Sequence, residues 1–149
     1  MQHTTSQRRT HVWMRGFHLA AAAALLAVFL QLWGLYRVTG PPQPAWFPHA
    51  DKLDHAVGFA LPVLLILLTV TLRGLRWQWP SPRTSALIVG VFAAHGVVSE
   101  IIQHLWYRHR TGDPFDVIAD WLGIAVGVLV FGLILQRRSR DAAEGFAAS

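Results

Sequence analysis

The sequence predicts an all-α integral membrane protein with four transmembrane helices and both termini in the cytoplasm. Hydrophobic residues make up 53% of the chain and charged residues only 14%, whereas soluble domains carry about 25% charged residues. The apolar runs are long, and the charges lie mainly at their ends, as membrane topology requires. This placement argues against nucleic acid as a partner, despite the net charge of +5.

The first apolar run predicts an uncleaved transmembrane helix after a basic cytoplasmic segment, residues 1–16. Phe17 to Tyr36 would span roughly 30 Å at about 1.5 Å per residue, which matches the hydrocarbon thickness of a bilayer. A cleaved signal peptide is the alternative. However, its apolar core usually covers only about 7–15 residues, and no small-x-small cleavage pattern follows this run.

The second and third helices are predicted from apolar runs separated by loops that contain proline. The Pro-rich stretch Thr39–Pro48 cannot form a continuous helix. Asp51 is expected to cap the second helix, which runs to about Leu72. Arg73–Arg83 is a short basic loop, and the third helix is expected from about Thr84 to Tyr107.

The last apolar run predicts a fourth helix from about Phe115 to Leu135. A four-helix membrane domain would therefore occupy residues 17–136. Residues 137–149 are expected to form a basic, mobile cytoplasmic tail. With no cysteine in the chain, disulfides, thiolate metal sites and cysteine nucleophiles are excluded.

The distribution of Lys and Arg predicts the orientation, because cytoplasmic loops carry an excess of them. Nine lie at the two termini and in the middle loop: Arg8, Arg9, Arg15, Arg73, Arg76, Arg83, Arg137, Arg138 and Arg140. Four lie in or beside the other two loops: Arg37, Lys52, Arg108 and Arg110. The excess places both termini in the cytoplasm.

Ionisable residues inside the apolar segments are the strongest functional signal. A charge at the centre of a membrane helix costs about 2.5–3.5 kcal/mol on insertion scales. Glu100 lies about seven residues, ~10 Å, from the predicted outer end of its helix. Asp116 and Asp120 share a face at i,i+4 and would repel if both were ionised, which predicts a proton or a nearby cation such as Arg110 or Lys52.

These residues are predicted to form one outward-facing polar pocket. The second helix begins, the third ends and the fourth begins at the same membrane face. The predicted pocket consists of Asp51, Lys52, His55, Glu100, Gln103, Arg110, Asp113, Asp116 and Asp120. Structural roles remain the alternative for some of them: Asp51 as a cap or a partner of His55, and Lys52 and Arg110 as residues that snorkel to lipid phosphates.

Two further features are expected to serve packing. Gly123 and Gly127 form a GxxxG pattern, which lets another helix approach closely. We expect contact within the chain first and a homo-oligomer contact second. His18, His95 and His104 are single histidines without an evident partner and are expected to be structural.

The polar residues carry a resemblance to the VanZ-like family of small membrane proteins. Its first motif, roughly Asp-Lys-x-x-His-Phe-x-x-Tyr, is matched by Asp51, Lys52 and His55, with Ala56 and Phe59 at the aromatic positions. A second motif is matched, with one extra residue in its turn, by Glu100, Gln103, Arg110, Asp113, Asp116, Gly123 and Gly127. Trp106-Tyr107 stands where Pro-Gly is usual, and Asp120 replaces an Asn. The resemblance covers about residues 51–130.

The resemblance implies a multi-pass protein of the bacterial cell membrane that influences susceptibility to glycopeptide antibiotics of the teicoplanin type. We expect a non-enzymatic protein without a cofactor or bound metal. Its pocket would bind a membrane lipid head group, a lipid-linked cell-wall precursor or a glycopeptide, with Lys52 and Arg110 contacting phosphate or carboxylate.

Two other functions remain open. A membrane-embedded metal-dependent hydrolase or phosphotransferase would use His55, Glu100, Asp116 and Asp120 as ligands. The sequence has no HExxH, GxSxG or Walker motif to support it. A small proton or ion transporter is suggested only by the carboxylates within helices.

Overall fold

The computed structural model describes residues 3–37, 48–107 and 112–147, and these residues form four α-helices. The helices are α1 His3–Tyr36, α2 Ala50–Arg73, α3 Pro82–Trp106 and α4 Pro114–Ala147. By length and composition each can cross a membrane, over Val12–Tyr36, Ala50–Arg73, Pro82–Trp106 and Pro114–Asp141. The prediction of an all-α, multi-pass membrane protein with four spans is therefore confirmed at this level.

The first and last helices are longer than their apolar runs predict. α1 begins at His3, and α4 continues to Ala147. Arg137, Arg138 and Arg140, which were expected to end the helix, lie within it. An apolar run determines which part of a helix can cross a bilayer, whereas the residues after Leu135 in α4 include Arg and Ala, which have high helix propensity. No proline follows Gln136 to end α4. The mobility of the tail stays a prediction.

The starts of α2 and α3 are capped differently. The N-cap of α2 is His49, which has a φ of 63° and makes no capping hydrogen bond through its side chain. The prediction of Asp51 as the cap is wrong, because Asp51 lies in the first turn, where a carboxylate interacts favourably with the helix dipole. α3 begins with Ser81 as its N-cap, accepting a 3.1 Å hydrogen bond from the backbone N–H of Thr84.

Helix α2 lies at the centre of the bundle. It packs most extensively against α4, then against α1, and also contacts α3. A Cβ atom on Gly127 would lie 2.6 Å from the carbonyl oxygen of Ala60, and a Cβ on Gly123 would clash with the backbone of Ala56. The two glycines therefore let the backbones of α2 and α4 approach closely. This approach brings the first turns of both helices side by side.

Candidate polar pocket

Lys52 joins the start of α2 to the start of α4. Its Nζ lies 2.9 Å from Asp51 Oδ2, 2.6 Å from Asp113 Oδ2 and 2.5 Å from Asp116 Oδ1. The hydrogen bond from Lys52, together with one from the Phe115 backbone N–H, holds the pKa of Asp113 below its ordinary value. An ammonium group has three donors, and all three are directed at carboxylates here. Lys52 is therefore already neutralised.

His55 lies among three carboxylates. Its Nδ1 is 2.9 Å from Asp120 Oδ1 and 3.9 Å from Glu100 Oε1. Its other ring nitrogen, Nε2, lies 3.8 Å from Asp116 Oδ2. Three helices thus contribute to one cluster around the imidazole: α2 through His55, α3 through Glu100, and α4 through Asp116 and Asp120.

The carboxylates of Glu100 and Asp120 are buried and only partly hydrogen-bonded. Glu100 is 6% exposed and Asp120 is 0% exposed. Glu100 Oε2 accepts a 2.9 Å hydrogen bond from the Asp113 backbone N–H. Glu100 Oε1 and Asp120 Oδ2 have no hydrogen-bond partner among the described residues. A buried polar atom without a hydrogen-bond partner lowers the stability of the fold by about 1–3 kcal/mol or more. A bound ligand or another compensating group at these two oxygens would offset that cost.

Two features of the helices fix the position of these side chains. His55 is five residues from the start of α2, Asp120 six from the start of α4, and Glu100 six from the end of α3. At about 1.5 Å per residue, all three lie ~7–9 Å from their helix ends and so at a similar depth. Gly96 gives Asp120 its room, since a Cβ there would lie 2.9 Å from Asp120 Oδ2.

Gln103 and Tyr107 hold the end of α1 against α3. Gln103 Nε2 donates to the Leu35 carbonyl oxygen at 3.3 Å, and the Tyr107 hydroxyl donates to the Tyr36 carbonyl oxygen at 2.6 Å. Terminal carbonyls of a helix lack partners within the helix. Gln103 therefore anchors α1 beside the polar cluster as well as lining the neighbouring cavity.

A cavity of about 670 Å³ lies between α1 and α2 and reaches the polar cluster. Its size is within the range of about 300–1,000 Å³ that is typical of small-molecule sites. One part of its lining is mainly apolar, from α1 and α2: Ala27, Leu30, Val57, Leu61 and Pro62. The other part is polar: Arg37, Asp51, Asp54, His55, Gln103 and Asp116. The cavity therefore suits an amphiphilic molecule.

Most of the predicted pocket residues converge. Contacts within 3.9 Å connect seven of them: Asp51, Lys52, His55, Glu100, Asp113, Asp116 and Asp120. Gln103 lies in the wall of the cavity. Arg110 lies outside the described residues, as does most of the Pro-rich stretch before α2.

Sequence reasoning did not place Arg37 or Asp54 in the pocket, and it found no partner for His95. Arg37 and Asp54 line the cavity, and the i, i+3, i+4 spacing of Asp51, Asp54 and His55 could have revealed their shared face. His95 Nε2 lies 3.0 Å from the Tyr36 hydroxyl. No sequence pattern pairs these two residues, because the contact depends on how α1 packs against α3.

Comparison with known proteins gives a family but no activity. No protein-family model and no solved structure matches the chain. The chain is similar to an uncharacterized protein of the fission yeast Schizosaccharomyces pombe. The two are 30% identical over 121 residues, which cover 81% of this chain and 70% of the yeast protein. The chain therefore belongs to the same family as this fission yeast protein.

Proposed function

We propose that this chain is a VanZ-like membrane protein that binds the polar head of a chain-bearing lipid in the cavity between α1 and α2. The observation that carries this proposal is the lining of that cavity, which changes from apolar residues to the polar cluster. A hydrocarbon chain would lie against residues such as Leu30 and Leu61. The head group would lie beside Arg37, Asp54 and His55.

The charges at the polar end favour a head group with an ammonium beside a phosphate. Lys52 is neutralised by three carboxylates, which argues against its predicted role as a free phosphate-binding cation. Arg37 can bind phosphate, and Asp51 and Asp54 can accept hydrogen bonds from an ammonium. All three residues line the cavity.

Two kinds of lipid share this chemistry: an ethanolamine phospholipid, and a lipid-linked cell-wall precursor that carries amino acids. The second source follows from the resemblance to the VanZ-like family, which also supports a bacterial cell membrane and an effect on glycopeptide susceptibility. This chain shares a family with a fission yeast protein, so the phospholipid is the more general ligand and the one we propose first.

A variant that fills the cavity tests the proposal. A Cβ on Gly58 has no neighbouring atom within 4 Å, and Gly58 lines the cavity. Gly58→Leu should therefore occupy the space of the lipid without disturbing the packing of the helices. Forcing extra side-chain atoms into a filled space costs about 1–3 kcal/mol, so lipid affinity should fall roughly tenfold or more. Native mass spectrometry of the purified protein, titrated with phosphatidylethanolamine, measures the loss.

Gly90→Leu is the matched control, because a Cβ there also meets nothing within 4 Å and Gly90 does not line the cavity. It should bind phosphatidylethanolamine like the wild type. Parallel titrations with phosphatidylglycerol, diacylglycerol and a lipid-linked wall precursor distinguish the head groups. Equal binding of phosphatidylethanolamine and diacylglycerol, or unchanged binding by Gly58→Leu, would refute the proposal.

The excess of Lys and Arg supports an orientation with the polar cluster at the outer face and both termini in the cytoplasm. The absence of cysteine from the sequence allows a direct test with single cysteines. A membrane-impermeant maleimide added to intact cells should label His49→Cys, at the start of α2. It should label Gln78→Cys, between α2 and α3, only after the cells are opened. The reverse pattern would show the opposite orientation.

A further inference from the structure

We propose that His55, Glu100 and Asp120 bind a divalent transition-metal ion, with Zn²⁺ as the best fit, at the polar end of the cavity. One ligand atom from each residue lies within 4.8 Å of the other two. This inference goes beyond lipid binding and differs from the sequence-based expectation of no metal. The mixed donor set is one imidazole nitrogen and two carboxylate oxygens, which suits Zn²⁺ better than Mg²⁺.

The distances within the trio are close to those of ligands that share one ion. Zn²⁺ bonds of about 2.0–2.2 Å place two ligand atoms of one tetrahedral ion roughly 3–4 Å apart. His55 Nδ1 lies 2.9 Å from Asp120 Oδ1 and 3.9 Å from Glu100 Oε1. Only small side-chain adjustments are needed. A bound ion would replace the hydrogen bond between His55 and Asp120.

Unpartnered oxygens provide the independent evidence for a ligand. Glu100 Oε1 and Asp120 Oδ2 have no hydrogen-bond partner among the described residues. Glu100 is only 6% exposed and Asp120 is fully buried. A buried carboxylate that is ionised needs a charge partner, and the single lysine of the cluster is already paired with Asp51, Asp113 and Asp116. A divalent cation in the trio would satisfy Glu100 Oε1 directly and would neutralise the charge of the buried Asp120 carboxylate.

A carboxylate lies near the second ring nitrogen of His55, just beyond hydrogen-bonding distance. A metal-binding histidine usually directs its second ring nitrogen at a carboxylate, which orients the ring. Here His55 Nε2 lies 3.8 Å from Asp116 Oδ2, and Asp116 is itself held by Lys52 at 2.5 Å. Lys52 and Asp116 would thus act as positioning residues. His55 also lines the cavity, so the ion would lie beside the head group of a bound lipid.

Zinc binding by the full chain, purified in detergent without a polyhistidine tag, tests the proposal. No lipid is added, so the outcome is independent of the lipid-binding proposal. Isothermal titration calorimetry with ZnCl₂ should show one ion bound per wild-type chain and much weaker binding of MgCl₂. Glu100→Gln and Asp120→Asn should lose the site, and Asp116→Asn should bind about 10–100-fold more weakly, as expected for an orienting carboxylate.

Asp141→Asn is the control, because it removes an exposed carboxylate of α4 outside the polar cluster and should bind Zn²⁺ like the wild type. X-ray absorption at the zinc edge of the wild type adds a measurement that needs no variant. It should show nitrogen and oxygen ligands with one imidazole. No stoichiometric Zn²⁺ in the wild type, preference for Mg²⁺, a shell without imidazole, or full binding by folded Glu100→Gln would each overturn the proposal.

Discussion

The two ends of the helix bundle are built in opposite ways. At one end, the first turns of α2 and α4 and the last turns of α3 place five carboxylates around one lysine and one histidine. At the other end, aromatic rings connect the α2–α3 loop to α1 and α4. Trp77 lies 5.5 Å from Trp13, and Trp79 lies 4.9 Å from Phe131 in edge-to-face geometry, measured between ring centroids.

The two ends also differ in whether their polar and charged groups have favourable contacts. The guanidinium carbon of Arg138 lies 5.2 Å from the centroid of the Trp77 ring, so one of the cations at the aromatic end has a favourable contact. The polar end instead keeps Glu100 Oε1 and Asp120 Oδ2 without partners among the described residues. A fold selected only for stability would not retain such costly groups. We therefore assign packing to the aromatic end and ligand binding to the polar end.

The largest expected effect on stability comes from Phe131→Ala at the aromatic end. Phe131 is fully buried and packs against Trp79. In soluble cores this change costs about 3–5 kcal/mol. We expect about 2–3 kcal/mol here, because lipid is as apolar as the core and mainly packing is lost. Unfolding by SDS in mixed micelles measures the change, and zinc and lipid binding by the folded fraction should be unchanged.

Leu129→Ala is the control, since Leu129 lies on the same helix and is 62% exposed. It should change the SDS midpoint little. Glu100→Gln should show the reverse pattern to Phe131→Ala, with zinc binding lost and stability nearly retained. If Phe131→Ala instead removed zinc or lipid binding at wild-type stability, the proposed separation between the two ends would be wrong.

The fold was largely predictable because its determinants are local. Long apolar runs identify four spans, although α3 begins at Pro82, two residues before the predicted Thr84, with Ser81 as its N-cap. The bounds of α1 and α4 were not predictable in the same way. Hydropathy reports which residues tolerate lipid, whereas helix propensity and the lack of a breaking residue determine how far the helix continues into water.

The polar cluster was predictable in membership but not in pairing. Helical spacing and the shared membrane face brought together residues such as Lys52, His55 and Glu100. Spacing cannot show that Lys52 contacts Asp113 and Asp116, because those contacts depend on the distance between α2 and α4. That distance follows from Gly123 and Gly127, which lie against the backbone of α2. The cavity likewise depends on the packing of α1 against α2.

The smallest expected effect concerns Asp113, which lies just before the start of α4. Of the two carboxylates that Lys52 contacts there, Asp113 is more exposed than Asp116. Its pKa in the folded protein is below the ordinary value of 3.8 because Lys52 donates a hydrogen bond to it. The folded state therefore favours the ionised form of Asp113. The resulting contribution to the free energy of unfolding is present above pH 3.8 and is lost as the pH falls through the folded-state pKa.

Wild type should be slightly more stable than Asp113→Asn near neutral pH, and the difference should vanish in strong acid. Thermal unfolding across pH measures it, with Asp141→Asn, near the far end of α4, as the control. A difference that grows in acid would show that the pair with Lys52 does not stabilise the polar end.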